Sequence, residues 1–169
     1  MNIYVLRHGQ TDYNVEGKFQ GQVDIKMNRN GEEQTDKSTE ELNKIKFDVV
    51  YSSPLARTID TAKKIKNTDI KIDKRIIERS FGSLEGQNGI PDYEKYIEKY
   101  NIETIENLIL RVNNFLDEIL EICKTKENIL IVTHEGIAQV INLYFNKEKS
   151  KLKEFRLPTG EYIKYEIHK

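Results

Sequence analysis

Arginine and histidine stand side by side at positions 7 and 8, directly after the apolar run of residues 3–6 and directly before Gly9. Such a pair can simply mark the point where a strand ends and polar residues begin. However, placing two cation-capable groups at the end of a buried strand costs desolvation free energy unless a partner compensates for it. Arg7 and His8 therefore suggest that the chain presents a guanidinium and an imidazole to an anionic group.

Two further cation-capable residues follow later apolar runs of the chain. Arg57 lies in the helix-like segment after the second run, and His134 comes directly after the third. Taken alone, His134 is typical of a hydrogen-bonded structural histidine, and Arg57 of a solvated helix residue or half of an ion pair. If the three runs are neighbouring parallel strands, however, all these side chains lie at one edge of the sheet, near helix N-termini. Their coincidence predicts a phosphate site.

The segments that would position these residues alternate between strand and helix. Three buried runs rich in β-branched residues are typical of parallel strands: residues 3–6, 48–52 and 128–133. Three segments carry apolar residues at helical spacing or the signals of a helix start, and are predicted to be helices: 31–45, 54–65 and 103–124. Two further segments alternate as edge strands do: 71–75 and 160–167. The chain is therefore predicted to be an α/β protein, a three-layer α/β/α sandwich with a mostly parallel mixed sheet.

The glycine-rich stretch at residues 79–101 breaks this alternation. It predicts a loop excursion with one short helix at residues 92–100, which would form a short cover over the sheet edge. The tyrosines at positions 93, 96 and 100 recur at helical spacing, which favours packing against the domain over contact with a ligand. The lysines of residues 147–153 are interpreted as a solvated face.

Composition limits the possible function classes. The chain has 169 residues, which suits one domain spanning residues 1–169. Its 27 Lys and Arg residues nearly balance its 28 Asp and Glu residues, so we expect neither a nucleic-acid partner nor a membrane surface. No apolar run approaches the ~20 residues of a membrane span. The single cysteine, Cys123, fits a reducing compartment, and we expect a cytoplasmic protein.

Ordered motifs along the chain resemble those of the histidine phosphatase superfamily, also called the phosphoglycerate mutase-like family. The RHGQT motif of residues 7–11, with Asn14, looks like the family signature. Further matching segments follow in the family's order: 19–24 (FQGQVD), 31–34 (GEEQ), 53–62 (SPLARTIDTA), 78–86 (ERSFGSLEG) and 132–136 (VTHEG). A lone RHG would be a weak signal, but several ordered segments over nearly the whole chain are specific.

The resemblance implies a role for each matching position. His8 would be the nucleophile that forms a phosphohistidine, and Glu78 would act first as general acid and then as general base. The positions that match the family's phosphate-binding residues are Arg7, Asn14, Arg57 and His134. Gln20 and Gly21 match its substrate-binding segment. The substrate would be a small-molecule phosphate ester. No metal ion or other cofactor would be needed, since two guanidiniums and an imidazolium can stabilise the transferred group.

These roles require particular protonation states. A nucleophilic imidazole must be neutral, and the neighbouring arginines are expected to lower the pKa of His8 from about 6.5. The pKa of His134, which would face substrate oxygens, is expected to rise. The pKa of Glu78 should rise above about 4.3 when a phosphate dianion binds nearby. Without the resemblance, Glu78 would be interpreted as the ion-pair partner of Arg75 or Arg79.

Two departures from the family pattern bear on substrate preference. Glu135 stands where glycine usually follows the second histidine. Its carboxylate suits the first turn of a helix but would oppose phosphate if it turned inward. The cover at residues 79–101 is shorter than the insertion of the family's mutases, which must shield a bisphosphorylated intermediate from water. A short cover favours hydrolysis.

Three functions remain open at this point. The favoured one is a metal-independent phosphomonoester phosphatase that acts through phosphohistidine on a small phosphorylated metabolite. The first alternative is a phosphoglycerate mutase dependent on 2,3-bisphosphoglycerate. The second is a non-catalytic phosphate-binding relative, for which Glu135 is the main argument. The oligomeric state does not follow from the sequence.

Overall fold

A five-stranded sheet forms the centre of the computed structural model, which describes residues 1–90, 92–147, 152 and 154–167. Its strands are β1 (Asn2–Arg7), β2 (Val49–Ser52), β3 (Ile70–Ile72), β4 (Asn128–Thr133) and β5 (Tyr162–Glu166). They lie in the order β3-β2-β4-β1-β5. All neighbouring pairs are parallel except β1 and β5, which are antiparallel. The predicted α/β fold with a mostly parallel mixed sheet is therefore confirmed.

The α-helices of the described ranges mostly follow the predicted segments. They are α1 (Asp12–Glu16), α2 (Arg29–Leu42), α3 (Ala56–Ala62), α4 (Ile97–Tyr100), α5 (Ile105–Ile122) and α6 (Glu135–Asn146). Asn28 caps α2 by accepting a hydrogen bond from the backbone N–H of Gly31. Helix α1 was not predicted, because its five residues are too few to show a periodicity. No helix in these ranges is both long and apolar enough to cross a bilayer.

Helices pack on both faces of the sheet. On one face, Ile3 and Val5 of β1 join a core cluster with Phe115 of α5 and Ile137 of α6. On the other face, the alternate strand residues join a cluster with helices α2 and α3, whose members include Tyr4, Leu6, Leu42 and Ala62. Successive residues of a strand point to opposite faces of the sheet. Because helices cover both faces, the side chains on either face of β1 are buried. This double burial explains why the central strands are apolar runs rather than alternating patterns.

The predicted edge strand over residues 71–75 is wrong beyond residue 72. Strand β3 ends at Ile72, and a 3₁₀ turn follows at Lys74–Ile76. Asp73 causes this turn, because its carboxylate accepts a hydrogen bond of 2.8 Å from the backbone N–H of Arg75 and pairs with the Arg75 guanidinium at 2.6 Å. The local ion pair thus overrides the alternating pattern.

The stretch at residues 79–101 is an excursion, as expected. It contains 3₁₀ turns at Gly82–Leu84 and Tyr93–Tyr96, and then helix α4. It is tied to the main body where the buried Arg79 donates from Nε to the carbonyl of Glu103 at 2.8 Å. Pro91 lies outside the described residues, as do most of the lysine-rich residues 147–153.

Backbone contact between two glycines holds the loop after β1 against α2. A Cβ atom at Gly31 would overlap the backbone of Gln10, and one at Gly9 would overlap the backbone of Gly31. Alanine normally stabilises a helix relative to glycine by up to about 1 kcal/mol. Because of this overlap, Gly31→Ala is instead expected to lower the free energy of unfolding by about 1–3 kcal/mol.

Urea denaturation followed by circular dichroism measures this effect. Gly89→Ala is the matched control, since the nearest atom to a Cβ there is 3.7 Å away. A Gly31→Ala variant as stable as the wild type would show that helix and loop can separate without cost.

Candidate active site

The carboxyl ends of β1, β2 and β4 meet at one edge of the sheet. Arg7 is in register with Thr133, and the backbone N–H of His8 donates to the carbonyl of Thr133 at 3.1 Å. The imidazoles of His8 and His134 therefore lie close together, with ring centroids 5.2 Å apart and planes at 61°. The structure thus brings together the predicted residues of two strand ends that are more than a hundred positions apart in the chain.

The buried imidazole of His8 has a defined tautomer. Its Nδ1 lies 2.7 Å from the carbonyl oxygen of Gly9. Because a carbonyl can only accept, Nδ1 carries the hydrogen and Nε2 keeps its lone pair. Burial lowers the pKa of His8 well below its ordinary value, and the charges of Arg57 and Arg7 lower it further. The direction agrees with the sequence prediction, although burial rather than the arginines is the main cause.

The pKa of His134 is not raised in the free protein, and its expected rise beside substrate oxygens stays a prediction. Burial, and then the charge of Arg57, lowers the pKa of His134 well below its ordinary value. Nε–H of Arg57 lies 3.3 Å from Nδ1 of His134, so Nδ1 accepts and Nε2 donates to Oγ of Ser53 at 2.7 Å. His134 is therefore a neutral imidazole whose two nitrogens both have partners.

Arg57 is fully buried at the start of α3 and contacts the loop of residues 19–24. Its Nη1 and Nη2 donate to the carbonyl oxygens of Val23 and Gly21, each at 2.7 Å. Burial lowers the pKa of Arg57 to about 10, opposed by the charge of Glu78. Arg57 therefore remains a cation at neutral pH. Gly21, predicted to bind substrate, contributes its carbonyl to holding this arginine and also lines the cavity.

Arg7 is held between a backbone carbonyl and a carboxylate. Its Nη1 donates to the carbonyl of Leu157 at 2.8 Å and lies 2.9 Å from Oε2 of Glu135. Its buried Nε has no hydrogen-bond partner in the described structure. Burial lowers the pKa of Arg7, and Glu135 acts against that shift. Nε–H of Arg7 is therefore a buried donor that its contacts with Leu157 and Glu135 do not use.

Asn14 and Gln20 are arranged around Thr11 at the start of α1. The Oδ1 atom of Asn14 accepts from the backbone N–H of Thr11 at 3.0 Å, completing a capping box. Oγ1 of Thr11 donates to Oε1 of Gln20 at 2.6 Å. Both amide side chains line the same cavity as His8. Oδ1 of Asn14 is occupied by the cap, which leaves Nδ2, the amide donor, as the group that can contact a ligand.

The carboxyl group of Glu78 is bound by backbone amides. Oε1 accepts from the N–H of Arg79 at 2.8 Å, and Oε2 accepts from the N–H of Gly136 at 3.3 Å. Although the residue keeps some exposure to the cavity, protein atoms surround its carboxyl group, and burial raises the pKa of Glu78. The two amides and the nearby arginines oppose this rise. A raised pKa suits a group that must be protonated before it donates.

The alternative interpretation of Glu78 as an ion-pair partner is wrong. Arg75 pairs with Asp73 at 2.6 Å and with Glu118 at 2.7 Å, while the guanidinium of Arg79 lies 3.7 Å from Glu94. These acidic neighbours already compensate the two arginines, which leaves the Glu78 carboxyl at the site.

A cavity of about 320 Å³ lies above His8, and a second of about 310 Å³ adjoins it. The predicted residues in the wall of the first are Arg7, His8, Asn14, Gln20, Gly21 and Glu78. Sequence reasoning missed further residues of the walls: Phe19, Arg79, Phe81, Tyr93 and Arg156. Phe19, Arg79 and Phe81 lie in the segments 19–24 and 78–86 that match the family, so the sequence offered a signal for them. No motif or pattern in the sequence pointed to Arg156.

The tyrosines of the cover do not share one role. The ring of Tyr93 lies 5.1 Å from that of Phe19 and 5.5 Å from that of Phe81, and all three rings line the cavity. Tyr96 is 44% exposed and contacts the ring of Tyr100. Tyr93 therefore packs against two rings of the domain, as predicted, and also lines the cavity, whereas Tyr96 is largely exposed because the segment is a 3₁₀ turn followed by a short helix rather than one regular helix.

The two buried histidines make stability depend on pH. Below about pH 6.5 the unfolded chain protonates both, whereas the folded chain holds them neutral. The unfolded state then binds more protons, so the free energy of unfolding falls as pH falls, by at most about 1.4 kcal/mol per histidine per pH unit. The raised pKa of Glu78 has the opposite effect on the free energy of unfolding. The folded state keeps a proton on Glu78 at a pH where the unfolded state has lost it, and this contribution to stability is lost as pH rises.

Comparing His8→Gln with the wild type isolates one histidine, since the effect of Glu78 is common to both. Urea denaturation at pH 7.5 and pH 5.5 should show a smaller loss of stability in the variant, by about 1 kcal/mol. Parallel losses would mean that His8 is protonated in the folded protein.

Known proteins resemble this chain over most of its length. The family model of the Histidine phosphatase superfamily (branch 1) matches residues 3–169. The PhoE protein of Bacillus subtilis, described as an uncharacterized phosphatase, is 31% identical over 138 residues, covering 78% of this chain and 70% of that protein. Phosphoserine phosphatase 1 of Hydrogenobacter thermophilus is 29% identical over 150 residues, covering 79% of this chain and 71% of that protein.

The fold also resembles solved structures. The α-ribazole phosphatase of Shigella flexneri matches with a TM-score of 0.88 and 24% identity, covering 99% of this chain and 91% of that chain. At this identity the likeness concerns the fold alone.

Proposed function

This chain belongs to the histidine phosphatase superfamily, and on that premise we propose that it is a metal-independent phosphatase that hydrolyses small phosphate monoesters through a phosphohistidine on His8. The observation that carries the proposal is the hydrogen bond from Nδ1 of His8 to the carbonyl of Gly9. This bond leaves the lone pair of Nε2 free at the floor of the cavity, which is what a nucleophilic imidazole requires. Burial, together with the charges of Arg57 and Arg7, keeps that imidazole neutral.

The reaction has two steps. In the first, Nε2 of His8 attacks phosphorus, the N–P bond forms as the ester O–P bond breaks, and protonated Glu78 donates its proton to the leaving oxygen. In the second, the Glu78 carboxylate takes a proton from a water molecule, which attacks the phosphohistidine. Inorganic phosphate leaves, and His8 returns to its starting form.

Positive charge for the transferred group comes from Arg7 and Arg57 in this proposal. Arg57 is fully buried and the Arg7 side chain is only 12% exposed, and the charge of each acts on the two imidazoles. Fixed charges in a shielded site stabilise a phosphoryl group strongly. His134, which is neutral in the free protein, would act as a hydrogen-bonding group rather than as a permanent cation. Asn14 would add an amide donor, and Gln20 and Gly21 would contact the substrate.

Phosphate release from p-nitrophenyl phosphate and from phosphoserine tests the activity. Phosphoserine is included because a relative is named for it. We expect turnover that persists in the presence of a chelator, with acid-labile phosphate trapped on the protein during turnover. No release from either ester, or release that stops when a chelator is added, would contradict the proposal.

Product analysis separates hydrolysis from the mutase alternative. With 3-phosphoglycerate and a catalytic amount of 2,3-bisphosphoglycerate, a phosphatase releases inorganic phosphate faster than it forms 2-phosphoglycerate. The reverse ratio would establish a mutase. Cytoplasmic location and a single domain remain predictions; the buried free thiol of Cys123 is consistent with a reducing compartment.

A further inference from the structure

Glu135 places a carboxylate in the wall of the cavity, next to the site of phosphoryl transfer. Its Oε2 lies 2.9 Å from Nη1 of Arg7, and its Oε1 lies 3.5 Å from Nε of Arg156. The side chain is 30% exposed and lines the same cavity as His8. Resting on the function proposed above, we infer that Glu135 determines specificity: it restricts the site to esters with one phosphoryl group and disfavours those with a second.

The charges of the cavity wall support this restriction. Besides Arg7, three cationic side chains line the first cavity: Lys18, Arg79 and Arg156. Each already lies near a carboxylate: Lys18 is 2.5 Å from Glu16, Arg79 is 3.7 Å from Glu94, and Arg156 shares Glu135 with Arg7. A second phosphate would have to displace one of these carboxylates or lie beside it.

Glu135 is the carboxylate that a second phosphate would meet first. Its carboxylate contacts both Arg7, at the phosphoryl site, and Arg156, whose side chain is 62% exposed. Glu135 therefore lies between the two positions that two linked phosphates would occupy. A second phosphate held there and the Glu135 carboxylate carry like charges, which repel each other more strongly where they are partly shielded from water. A single phosphoryl group avoids most of this repulsion, because it can bind a different nitrogen of Arg7 from the one that Glu135 contacts. Glu135 contacts Nη1, whereas Nε is buried and has no partner in the described structure.

Binding of two non-hydrolysable ligands tests this inference without turnover. Methylphosphonate carries one phosphonate, and methylenediphosphonate carries two on the same carbon. Calorimetric titration gives the affinity of each for the wild type and for Glu135→Gln. In the variant, methylenediphosphonate should bind about tenfold more tightly, while the affinity for methylphosphonate should change by no more than about threefold. The ratio of the two affinities is the readout, since a purely structural role would change both alike.

Two control variants complete the experiment. Glu118→Gln removes the same charge from an ion pair with Arg75, neither member of which lines the two cavities, and should leave the ratio unchanged. Arg156→Gln in the Glu135→Gln background should return the ratio toward that of the wild type, because the second phosphonate loses its cation. Glu135→Ala should repeat the result of Glu135→Gln, and serves in its place if that variant does not fold.

An unchanged ratio in Glu135→Gln, or an equal rise in Glu118→Gln, would overturn the inference. So would an absence of methylphosphonate binding to the wild type, since the inference needs a phosphate site. If the ratio changes as expected but no ester is hydrolysed, the specificity role of Glu135 stands and the proposed hydrolysis does not.

Discussion

Replacing His8 by alanine is expected to lower kcat/KM for p-nitrophenyl phosphate by at least about 10⁴-fold. The variant loses the only nitrogen that we propose to form a bond to phosphorus. The neighbouring guanidiniums of Arg7 and Arg57 remain, so inorganic phosphate should still bind. Loss of turnover with retained phosphate binding distinguishes the removal of a nucleophile from the collapse of the site.

Steady-state kinetics and acid-quench labelling measure this result. The wild type should carry acid-labile phosphate during turnover, and His8→Ala should carry none. Glu118→Gln serves as a folded control with wild-type activity, since it lies outside the site. Labelling of His8→Ala at the wild-type level would show that another residue carries the phosphoryl group.

Replacing Glu78 by glutamine is expected to lower kcat/KM for phosphoserine by about 10²–10⁴-fold. An alkoxide is a poor leaving group and needs a proton, which glutamine cannot donate. The p-nitrophenolate group leaves without such help, so p-nitrophenyl phosphate should lose much less in the first step. The difference between the two esters, rather than either rate alone, identifies the general acid.

The pH profile gives a second measure of the same role. Burial raises the pKa of Glu78, so its protonated form persists above the usual pH range of a carboxyl group and is lost as pH rises. The wild type should therefore lose activity on phosphoserine on the alkaline side, and Glu78→Gln should lack that limb. Equal losses on both esters would assign Glu78 a structural role.

The sheet and the location of the site could be predicted from the sequence because both depend on local patterns. The β-branched runs are buried on both faces, and such runs are typical of parallel strands. Once those strands are neighbours, the residues that follow them, His8 and His134 among them, necessarily share one edge. The resemblance added Asn14 and Glu78, whose positions carry no pattern of their own.

The details that the sequence did not predict depend on distant partners. The tautomer of His134 is set by its contacts with Arg57 and Ser53, which lie about eighty positions away along the chain. The contacts of Glu135 with Arg7 and Arg156 likewise join three separate segments. The end of β3 was missed for a different reason, because the carboxylate of Asp73 competes with the strand for the local backbone.

The short cover at residues 79–101 forms one part of the site's wall, and this part can change independently of the groups at the sheet edge. The groups proposed to transfer the phosphoryl group stand mostly on strand ends and helix starts, whereas Phe81 and Tyr93 of the wall belong to an excursion made of brief turns. Substitutions in such turns leave the sheet intact. New substrate preferences can therefore evolve by exchanging a few aromatic or charged side chains, while the chemistry proposed for His8 is inherited unchanged.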